Sequence, residues 1–327
     1  MTSRTAPSRL ITLPLRLLGN CIGAQRLCVL TYHRILAAPD PLLESEVDLA
    51  TFRWQMQLLA DGFNVLPLHQ ALQRLEQGRL PPRAVCITFD DGYRSTYEMA
   101  LPVLQALGLS ATVFSTTAHL DGGSMWNDRI IEAVRHLPDG PLDWRGLNLP
   151  LKLEPLMQAQ SRLRIAASLN HHAKYLLPDE REQLISALEK FAGITAVPDL
   201  MLNPDMLRGL SRNGIEIGGH TVGHPILSKL DDARSRREIV DNKQTLEHII
   251  GQPLRLFAYP NGKVGIDYDE RHVHMVKQAG YEAAFTTANG SATRESDHFE
   301  IPRSRPWDAS PLMFGLRLLR WLANKGV

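Results

Sequence analysis

Four polar segments of this chain have side chains that could carry out chemistry, and each follows an apolar run typical of a β-strand. They are His33, Asp90-Asp91-Gly92, His220-Thr221-Val222-Gly223-His224 and Pro260-Asn261-Gly262. Carboxylates and imidazoles are common protein ligands of zinc and other divalent ions. Because the carboxyl ends of parallel strands share one face of an α/β fold, that face collects the active-site residues. We therefore expect the four segments to converge on one site.

The two histidines of the third segment, His220 and His224, are four residues apart. On a helical turn this spacing would place both imidazoles on one side, within reach of a single ion. The pair alone is a weak signal, because a chain with 12 His produces such a spacing by chance. The alternative is a capped turn in which both imidazoles bond to the backbone.

Asp90 and Asp91 are adjacent carboxylates at a predicted strand end. In a partly buried cleft they would repel each other, and one would take up a proton unless a cation neutralised them. One carboxylate and two imidazoles on a divalent ion leave open coordination positions, as in catalytic sites. The alternative is a solvated turn in which Asp91 caps the helix that begins near Ser95.

The elements that position these segments alternate between strand and helix, which predicts a parallel sheet, either doubly wound or closed into a barrel. The predicted strands are residues 27–32, 64–68, 84–89, 111–116, 215–218, 254–259 and 283–287. The predicted helices between them are residues 51–60, 68–76, 95–107, 204–213, 231–250 and 270–279.

Residues 124–203 depart from this alternation, because their pattern predicts helices alone, at 125–137, 158–176 and 178–192. We interpret the stretch as a helical insertion within a single catalytic domain that covers residues 1–327. Since it lies between two strand–helix units, it forms either a cap over one end of the sheet or a layer on its flank.

Charge and cysteine content exclude several classes of protein. Lys and Arg (36) nearly balance Asp and Glu (35), which argues against a nucleic-acid partner. Three Cys without a C-x-x-C spacing argue against a disulfide framework and a cysteine zinc site.

Pro14 and Arg16 interrupt the apolar run 11–18, so we predict no signal peptide and a cytoplasmic location or one on the inner membrane face.

The C-terminal segment 312–322 mixes apolar residues with Arg317 and Arg320. Such a basic amphipathic helix could lie on a membrane surface as a peripheral contact. The interpretation that we favour is a final helix that packs on the sheet.

Two of the segments match motifs of a known family. Thr88-Phe89-Asp90-Asp91-Gly92-Tyr93 resembles the first motif of the polysaccharide deacetylases (carbohydrate esterase family four, the NodB-homology domain), and the segment from His220 to His224 resembles the second. The resemblance implies a distorted (β/α) barrel of about seven strands and a metal-dependent hydrolase that removes N-acetyl groups from the amino sugars of a surface or exported polysaccharide or a glycolipid. It also implies that Asp90 is the general base and that Asp91, His220 and His224 hold one divalent ion. Zinc is expected, with nickel and cobalt as alternatives.

The segment from Phe257 to Gly262 is similar to the third family motif, whose loop lines the substrate groove. The similarity implies substrate-binding roles for Tyr259, Pro260 and Asn261, with the Asn261 N–H facing the oxyanion. The family's Arg that braces the base is missing here, because Ala258 occupies its position. Arg303 or Arg255 could replace it, and we also place Arg303 among the predicted substrate-binding residues.

The family's late His, its usual general acid, has no counterpart near the C-terminus of this chain. Instead Thr31-Tyr32-His33-Arg34-Ile35 resembles an early segment of the branch that processes exopolysaccharides such as poly-N-acetylglucosamine. The resemblance implies that His33 is the acid, whereas the alternative is a structural His at a strand end. Other functions open to this fold are an O-acetyl esterase, an amidase for another C–N bond, and a carbohydrate-binding protein without turnover.

Overall fold

The computed structural model describes residues 14–15, 25–144 and 159–324, so most of the 11–18 run lies outside the described residues. The strands are β1 (Leu27–Tyr32), β2 (Ile35–Leu36), β3 (Val47–Asp48), β4 (Asn64–Val65), β5 (Ala84–Phe89), β6 (Thr112–Ser115), β7 (Glu216–Gly219), β8 (Leu256–Ala258), β9 (Ala283–Phe285) and β10 (Ser291–Ala292). The helices are α1 (Leu49–Gly62), α2 (Leu68–Glu76), α3 (Leu101–Ala106), α4 (Trp126–His136), α5 (Ala159–Lys174), α6 (Pro178–Ala192), α7 (Pro204–Arg212), α8 (Asp232–Ile250), α9 (Glu270–Gln278) and α10 (Pro311–Ala323). A π-helical turn, Thr96–Ala100, precedes α3.

The main sheet contains all seven predicted strands, and they run parallel. Their order is β1-β5-β6-β7-β8-β9, with β4 also paired to β5 and β10 antiparallel to β1. The strand predicted at 64–68 ends early, at Val65. Pro67 has no N–H to offer a sheet and instead lies at the start of α2, so the chain turns into the helix there.

An irregular segment fills the gap between the two ends of this sheet. Ile301 bridges Phe285 of β9, and Ser304 bridges Leu30 of β1. The Thr31 N–H donates to the Ser304 carbonyl at 3.0 Å, which fixes the segment against β1. The sheet therefore curls into a distorted barrel, as predicted, and Arg303 is carried within the segment between its ends.

Side chains along the strands alternate between the barrel interior and the surrounding helices. Leu27 and Val29 of β1 share an inner apolar cluster with Phe285, whereas Tyr32 packs with Phe52 on the helical side. Because successive side chains point to opposite faces, His33, two positions beyond Thr31 of β1, again points inward. The same alternation relates Thr88 of β5 to Asp90, which directly follows that strand, so His33 and Asp90 both face the interior.

The helical insertion packs over the carboxyl ends of the strands. Asp128 of α4 accepts hydrogen bonds from Arg34, after β1, at 2.9 Å and from the Tyr93 hydroxyl, after β5, at 2.8 Å. The Lys174 ammonium at the end of α5 lies 3.4 Å from Asp267, in the loop after β8. These contacts favour the cap over the flanking layer. The three helices also have an apolar core of their own, which includes Ile130, Val134, Leu169, Ile185 and Leu188.

The C-terminal helix α10 packs on the barrel through one face. Its Phe314 ring meets the Trp54 ring of α1 edge-on, with centroids 5.7 Å apart, and Leu318 is buried beside it. Leu312 and Leu316 remain exposed at the other face. The favoured packing of this segment is therefore present, and of the helices in the described ranges none is long and apolar enough to cross a membrane.

Truncating Phe314 to Ala is expected to lower the free energy of unfolding by about 3–5 kcal/mol, because a fully buried ring is replaced by a cavity. Leu316→Ala, two residues away on the exposed face, is expected to change it by less than about 0.5 kcal/mol. Urea unfolding of both variants measures the difference, and equal losses would contradict the packing of α10.

Candidate active site

Asp91, His220 and His224 lie together beyond the ends of β5 and β7. Each offers one ligand atom, and these atoms all lie within 4.8 Å of one another. Asp91 Oδ1 is 3.5 Å from Nε2 of His220 and 3.4 Å from Nε2 of His224. Two atoms bound about 2.1 Å from a tetrahedral ion lie roughly 3.4 Å apart. Asp91 Oδ1 is also buried without a hydrogen-bond partner among the described residues, so these residues fit a divalent ion.

The imidazoles of this cluster are oriented for metal binding. His220 Nδ1 lies 2.7 Å from the Ala258 carbonyl oxygen. Since that carbonyl can only accept, Nδ1 carries the proton and the Nε2 lone pair faces Asp91. Burial lowers the pKa of His224 to about 4, although the neighbouring Asp91 carboxylate opposes the change. His224 is therefore neutral at pH 7, the form that binds metal.

A loop, rather than a helical turn, brings the two imidazoles together. Residues 220–224 form a loop in which Thr221 and His224 adopt positive φ, 67° and 54°. Asp91 does the same, with φ 72°. Left-handed backbone is tolerated by Asp and His but is unfavourable for the β-branched Thr221, and such strain concentrates at functional sites. The loop holds the two ring centroids 4.9 Å apart.

Two polar side chains of α8 support the loop that carries His220 and His224. Asn242 accepts a hydrogen bond from the His220 N–H at 3.1 Å and donates to the Thr221 carbonyl at 2.6 Å. Glu238 accepts one from the Gly223 N–H at 2.8 Å. Sequence reasoning missed both residues. The available signal was Asn242 itself, an amide on the buried side of a predicted helix, the side that also carries Ile239 and Leu246.

Asp90 is held by Arg303 inside the barrel. The guanidinium donates two hydrogen bonds to the carboxylate, at 2.6 and 2.8 Å, and a third to the Thr286 carbonyl at 3.2 Å. Burial alone would raise the pKa of Asp90, but the charge of Arg303 holds it below its usual value. Asp90 is therefore an ionised carboxylate beside the metal cluster, able to accept a proton.

This pairing corrects the substrate-binding role predicted for Arg303. Its side chain is fully buried, so it has no surface for a substrate. It matches instead the other role considered, as the replacement for the bracing Arg. Arg255 does not compete for that role, because it is half exposed and lies 3.4 Å from Glu282.

His33 lies in the same group of interacting charges as the metal cluster. Its charged form lowers the pKa of both Asp90 and Asp91, alongside the larger contributions of Arg303 and His224. Its Nδ1 is buried and has no hydrogen-bond partner within the part of the chain that the structure describes. His33 therefore remains the candidate acid of this site.

The loop that resembles the third family motif has only one of its three predicted substrate-binding residues accessible. Tyr259 is fully buried and stacks on Tyr268 with centroids 3.8 Å apart, which contradicts a substrate contact through its side chain. The physical reason is alternation, because Tyr259 points to the same side as Phe257, toward the helices. Pro260 is buried as well, whereas Asn261 is half-buried with φ 59°. Asn261 thus remains the substrate-facing candidate of this loop.

Comparison with known proteins places the site in a family. A family model described as polysaccharide deacetylase matches residues 77–284. The chain belongs to the polysaccharide deacetylase family. This is a family of hydrolases. The matched residues include Asp90, Asp91, His220 and His224, whereas His33 and Arg303 lie outside them.

Individual proteins and solved structures are also similar to this chain. The chain is 23% identical to YxkH of Bacillus subtilis over 291 residues (89% of this chain, 74% of YxkH). It is 24% identical to the poly-beta-1,6-N-acetyl-D-glucosamine N-deacetylase of Staphylococcus epidermidis over 228 residues (65% and 78%). The fold resembles that of Streptococcus pyogenes deacetylase PplD, with a TM-score of 0.60, 19% identity and coverage of 91% and 98%. For IcaB from Ammonifex degensii the TM-score is 0.56 and the identity is 17%, and the similarity covers 91% of this chain and 97% of IcaB.

Proposed function

We propose that this deacetylase removes N-acetyl groups from the amino sugars of a surface or exported polysaccharide or a glycolipid. The observation that carries the proposal is the ionised Asp90, paired with Arg303, beside the cluster of Asp91, His220 and His224. We propose zinc as the ion, with nickel and cobalt as alternatives that suit the same ligands. The name of the Staphylococcus epidermidis relative supports an N-acetylated sugar as the substrate.

The chemistry follows from the arrangement of the side chains. A divalent ion held by Asp91, His220 and His224 would polarise the acetamide carbonyl and acidify a water. Asp90 accepts a proton from the attacking water, and the Asn261 N–H donates to the developing oxyanion. His33 donates a proton to the sugar nitrogen as the C–N bond breaks. Acetate and a free amino sugar are the products.

Acetate release from matched N-acetylated and O-acetylated oligosaccharides tests the proposal. The protein is reconstituted separately with zinc, nickel and cobalt, and its metal content is measured. Release from the N-acetylated series supports the proposal. Release from the O-acetylated series alone would identify an esterase, and cleavage of only other amides would identify an amidase. Saccharide binding without any release by the metal-loaded protein would identify a carbohydrate-binding protein.

Replacing His33 with Ala is expected to slow deacetylation of N-acetyl sugars by about 10²- to 10⁴-fold, because the amine is a poor leaving group that needs a proton. Hydrolysis of an activated aryl acetate is expected to change far less, since that leaving group departs without protonation. The ratio of the two kcat values is the measurement. Equal losses on both substrates would rule out the acid role and favour a structural one.

A membrane contact through α10 is a further part of this proposal, together with a location on the inner membrane face. Leu312, Met313 and Leu316 are exposed on this helix, and Trp307 is exposed just before it. An exposed apolar patch beside basic residues suits the surface of an anionic bilayer. Replacing the three α10 residues with Ser is expected to abolish sedimentation with anionic vesicles while acetate release from soluble oligomers persists. Undiminished sedimentation would exclude the contact.

A further inference from the structure

Asp128, in the first turn of α4, lies between two of the loops that carry predicted site residues. Its Oδ1 accepts a hydrogen bond from the Arg34 guanidinium at 2.9 Å, and its Oδ2 accepts one from the Tyr93 hydroxyl at 2.8 Å. Arg34 directly follows His33, and Tyr93 comes two residues after Asp91. One carboxylate of the helical insertion is therefore connected both to the loop after β1 and to the loop after β5.

The two hydrogen bonds of Asp128 are shielded from water. The side chain of Asp128 is 4% exposed, and Tyr93 is 3% exposed. The Arg34 guanidinium also lies over the Tyr93 ring, 5.5 Å from its centroid, so the three side chains form one cluster. Hydrogen bonds to a charged group are stronger than neutral ones, and a dry surrounding strengthens them further. The cluster therefore links the insertion to both loops more firmly than an exposed ion pair would.

The imidazole of His33 depends on its backbone for orientation. Its Nδ1 atom is buried and has no hydrogen-bond partner in the described ranges. It thus lacks at Nδ1 the kind of contact by which the Ala258 carbonyl orients the His220 ring. The direction of the His33 side chain then follows from the course of the chain at residues 33–34, where Asp128 holds the very next side chain, Arg34.

The turn that carries Asp91 is attached to the insertion as well. Asp91 has a left-handed φ of 72°, and its Oδ1 has no hydrogen-bond partner among the residues that the structure describes. Directly after it, the Gly92 carbonyl accepts from the Leu202 N–H at 2.8 Å, at the end of the insertion. The bond from Tyr93 to Asp128 adds a side-chain contact to this backbone pairing. The insertion therefore holds the chain on the C-terminal side of Asp91 at two points.

We infer that Asp128 is a positioning residue, which holds His33 in place through Arg34 and Asp91 in place through Tyr93. It acts through these two neighbours and is not itself among the grouped ligand atoms. The helical insertion then sets the relative positions of the acid and of one metal ligand, in addition to covering the strand ends. The inference rests on the proposed function for the roles of His33 and Asp91.

Three variants break the two links together or one at a time. Asp128→Ala removes both links and is expected to weaken zinc binding and to lower kcat for N-acetyl sugars, each by about 10- to 100-fold. Tyr93→Phe removes only the link to Asp91 and is expected to weaken zinc binding. Arg34→Met removes only the link to His33. It is expected to lower the ratio of kcat for an N-acetyl sugar to kcat for an aryl acetate by about 10- to 100-fold, with zinc binding unchanged. Zinc binding is measured by competition with a chelator.

Two control variants distinguish positioning from a general loosening of the insertion. In Asp128→Asn the amide oxygen can accept from Arg34, and the amide NH₂ can donate to the Tyr93 oxygen. This conservative variant is therefore expected to keep zinc binding and the kcat ratio near their wild-type values. Lys174→Met breaks a different contact between the insertion and the barrel, the one with Asp267. It is expected to lower the melting temperature without changing zinc binding or the ratio.

Wild-type zinc binding and a wild-type kcat ratio in Asp128→Ala would overturn the inference. Equal losses in Asp128→Ala and Lys174→Met would overturn it too, because they would show that the insertion only has to stay docked. If Asp128→Ala does not fold, the single-link variants decide. A change by each in its own measurement supports the inference, and no change in either contradicts it.

Failure of the proposed function is visible separately, in the wild-type protein. Zinc-loaded wild-type protein that releases no acetate from N-acetyl sugars would contradict the proposed function. In that case the zinc affinities alone decide the inference. Weaker binding in Asp128→Ala and Tyr93→Phe, with normal binding in Asp128→Asn and Lys174→Met, would still support the positioning of Asp91. Unchanged affinities in all four variants would overturn it.

Discussion

Asp90→Asn is expected to lower kcat for acetate release by about 10²- to 10⁴-fold, the usual contribution of a general base, while metal binding persists. The amide keeps the shape of the carboxylate but cannot accept the proton of the attacking water. Asp90 belongs to no part of the ligand cluster, which consists of Asp91, His220 and His224. The measurement is kcat with zinc-loaded protein, together with the zinc content after dialysis.

His220→Ala is the contrasting variant. It removes a ligand atom and is expected to lose both zinc and activity, because the two remaining ligands, Asp91 and His224, hold an ion weakly. The two variants therefore separate a base from a ligand. Near wild-type turnover by Asp90→Asn would show that another group accepts the proton, and loss of zinc by Asp90→Asn would make Asp90 part of the metal site.

Much of the fold could be predicted from the sequence because strand and helix patterns repeat at short range. The strands β1 and β5 have the predicted bounds, and their period of two determines which side His33 and Asp90 face. The convergence of distant segments followed from one rule about the carboxyl ends of parallel strands. The main elements of the candidate site can therefore be predicted from the sequence.

What could not be predicted depends on contacts between residues far apart in the chain. The sequence offered Arg303 and Arg255 as alternatives for the bracing Arg, and the choice between them depends on a pair, Arg303–Asp90, whose members are 213 residues apart. Arg303 reaches Asp90 through a segment that fills the gap between the ends of the sheet without forming a regular strand. The positive φ of Thr221 could not be predicted, because non-glycine residues rarely adopt it and no sequence pattern indicates where they do. The burial of Tyr259 follows from the alternation of side chains along β8, which continues one residue beyond the end of the strand.

Arg303→Met breaks the Arg303–Asp90 pair and is the second variant with a large expected effect. It is expected to remove the function of Asp90 as a base without changing any of the proposed metal ligands. Methionine fills much of the space but leaves the Asp90 carboxylate buried and unpaired, which typically costs about 3–5 kcal/mol of stability. Burial then raises the pKa of Asp90 above its usual value, whereas Arg303 keeps it below that value in the wild-type protein. At pH 7 much of the carboxyl would hold a proton and could not act as a base.

The effect on pH dependence has a definite sign. In the wild-type protein, the lowered pKa of Asp90 stabilises the fold above the usual Asp pKa of about 3.9, and this stability is lost as the pH falls through the folded-state value. In Arg303→Met the folded protein would keep a proton that the unfolded chain releases, so the free energy of unfolding would fall as the pH rises above about 3.9. The acidic limb of the profile of kcat/KM against pH is expected to move to higher pH.

Two further variants distinguish this explanation from a simple packing defect. Arg303→Lys keeps the charge but lacks the two-pronged guanidinium, so a smaller shift of the acidic limb is expected. The double variant Asp90→Asn with Arg303→Met removes the unpaired charge, and it is expected to recover part of the stability that Arg303→Met loses. If the double variant is as unstable as Arg303→Met, and the acidic limb does not move in either Arg303 variant, then Arg303 acts by packing alone. A shift of the limb together with recovered stability would establish that the buried guanidinium keeps Asp90 ionised, the condition on which its role as a base depends.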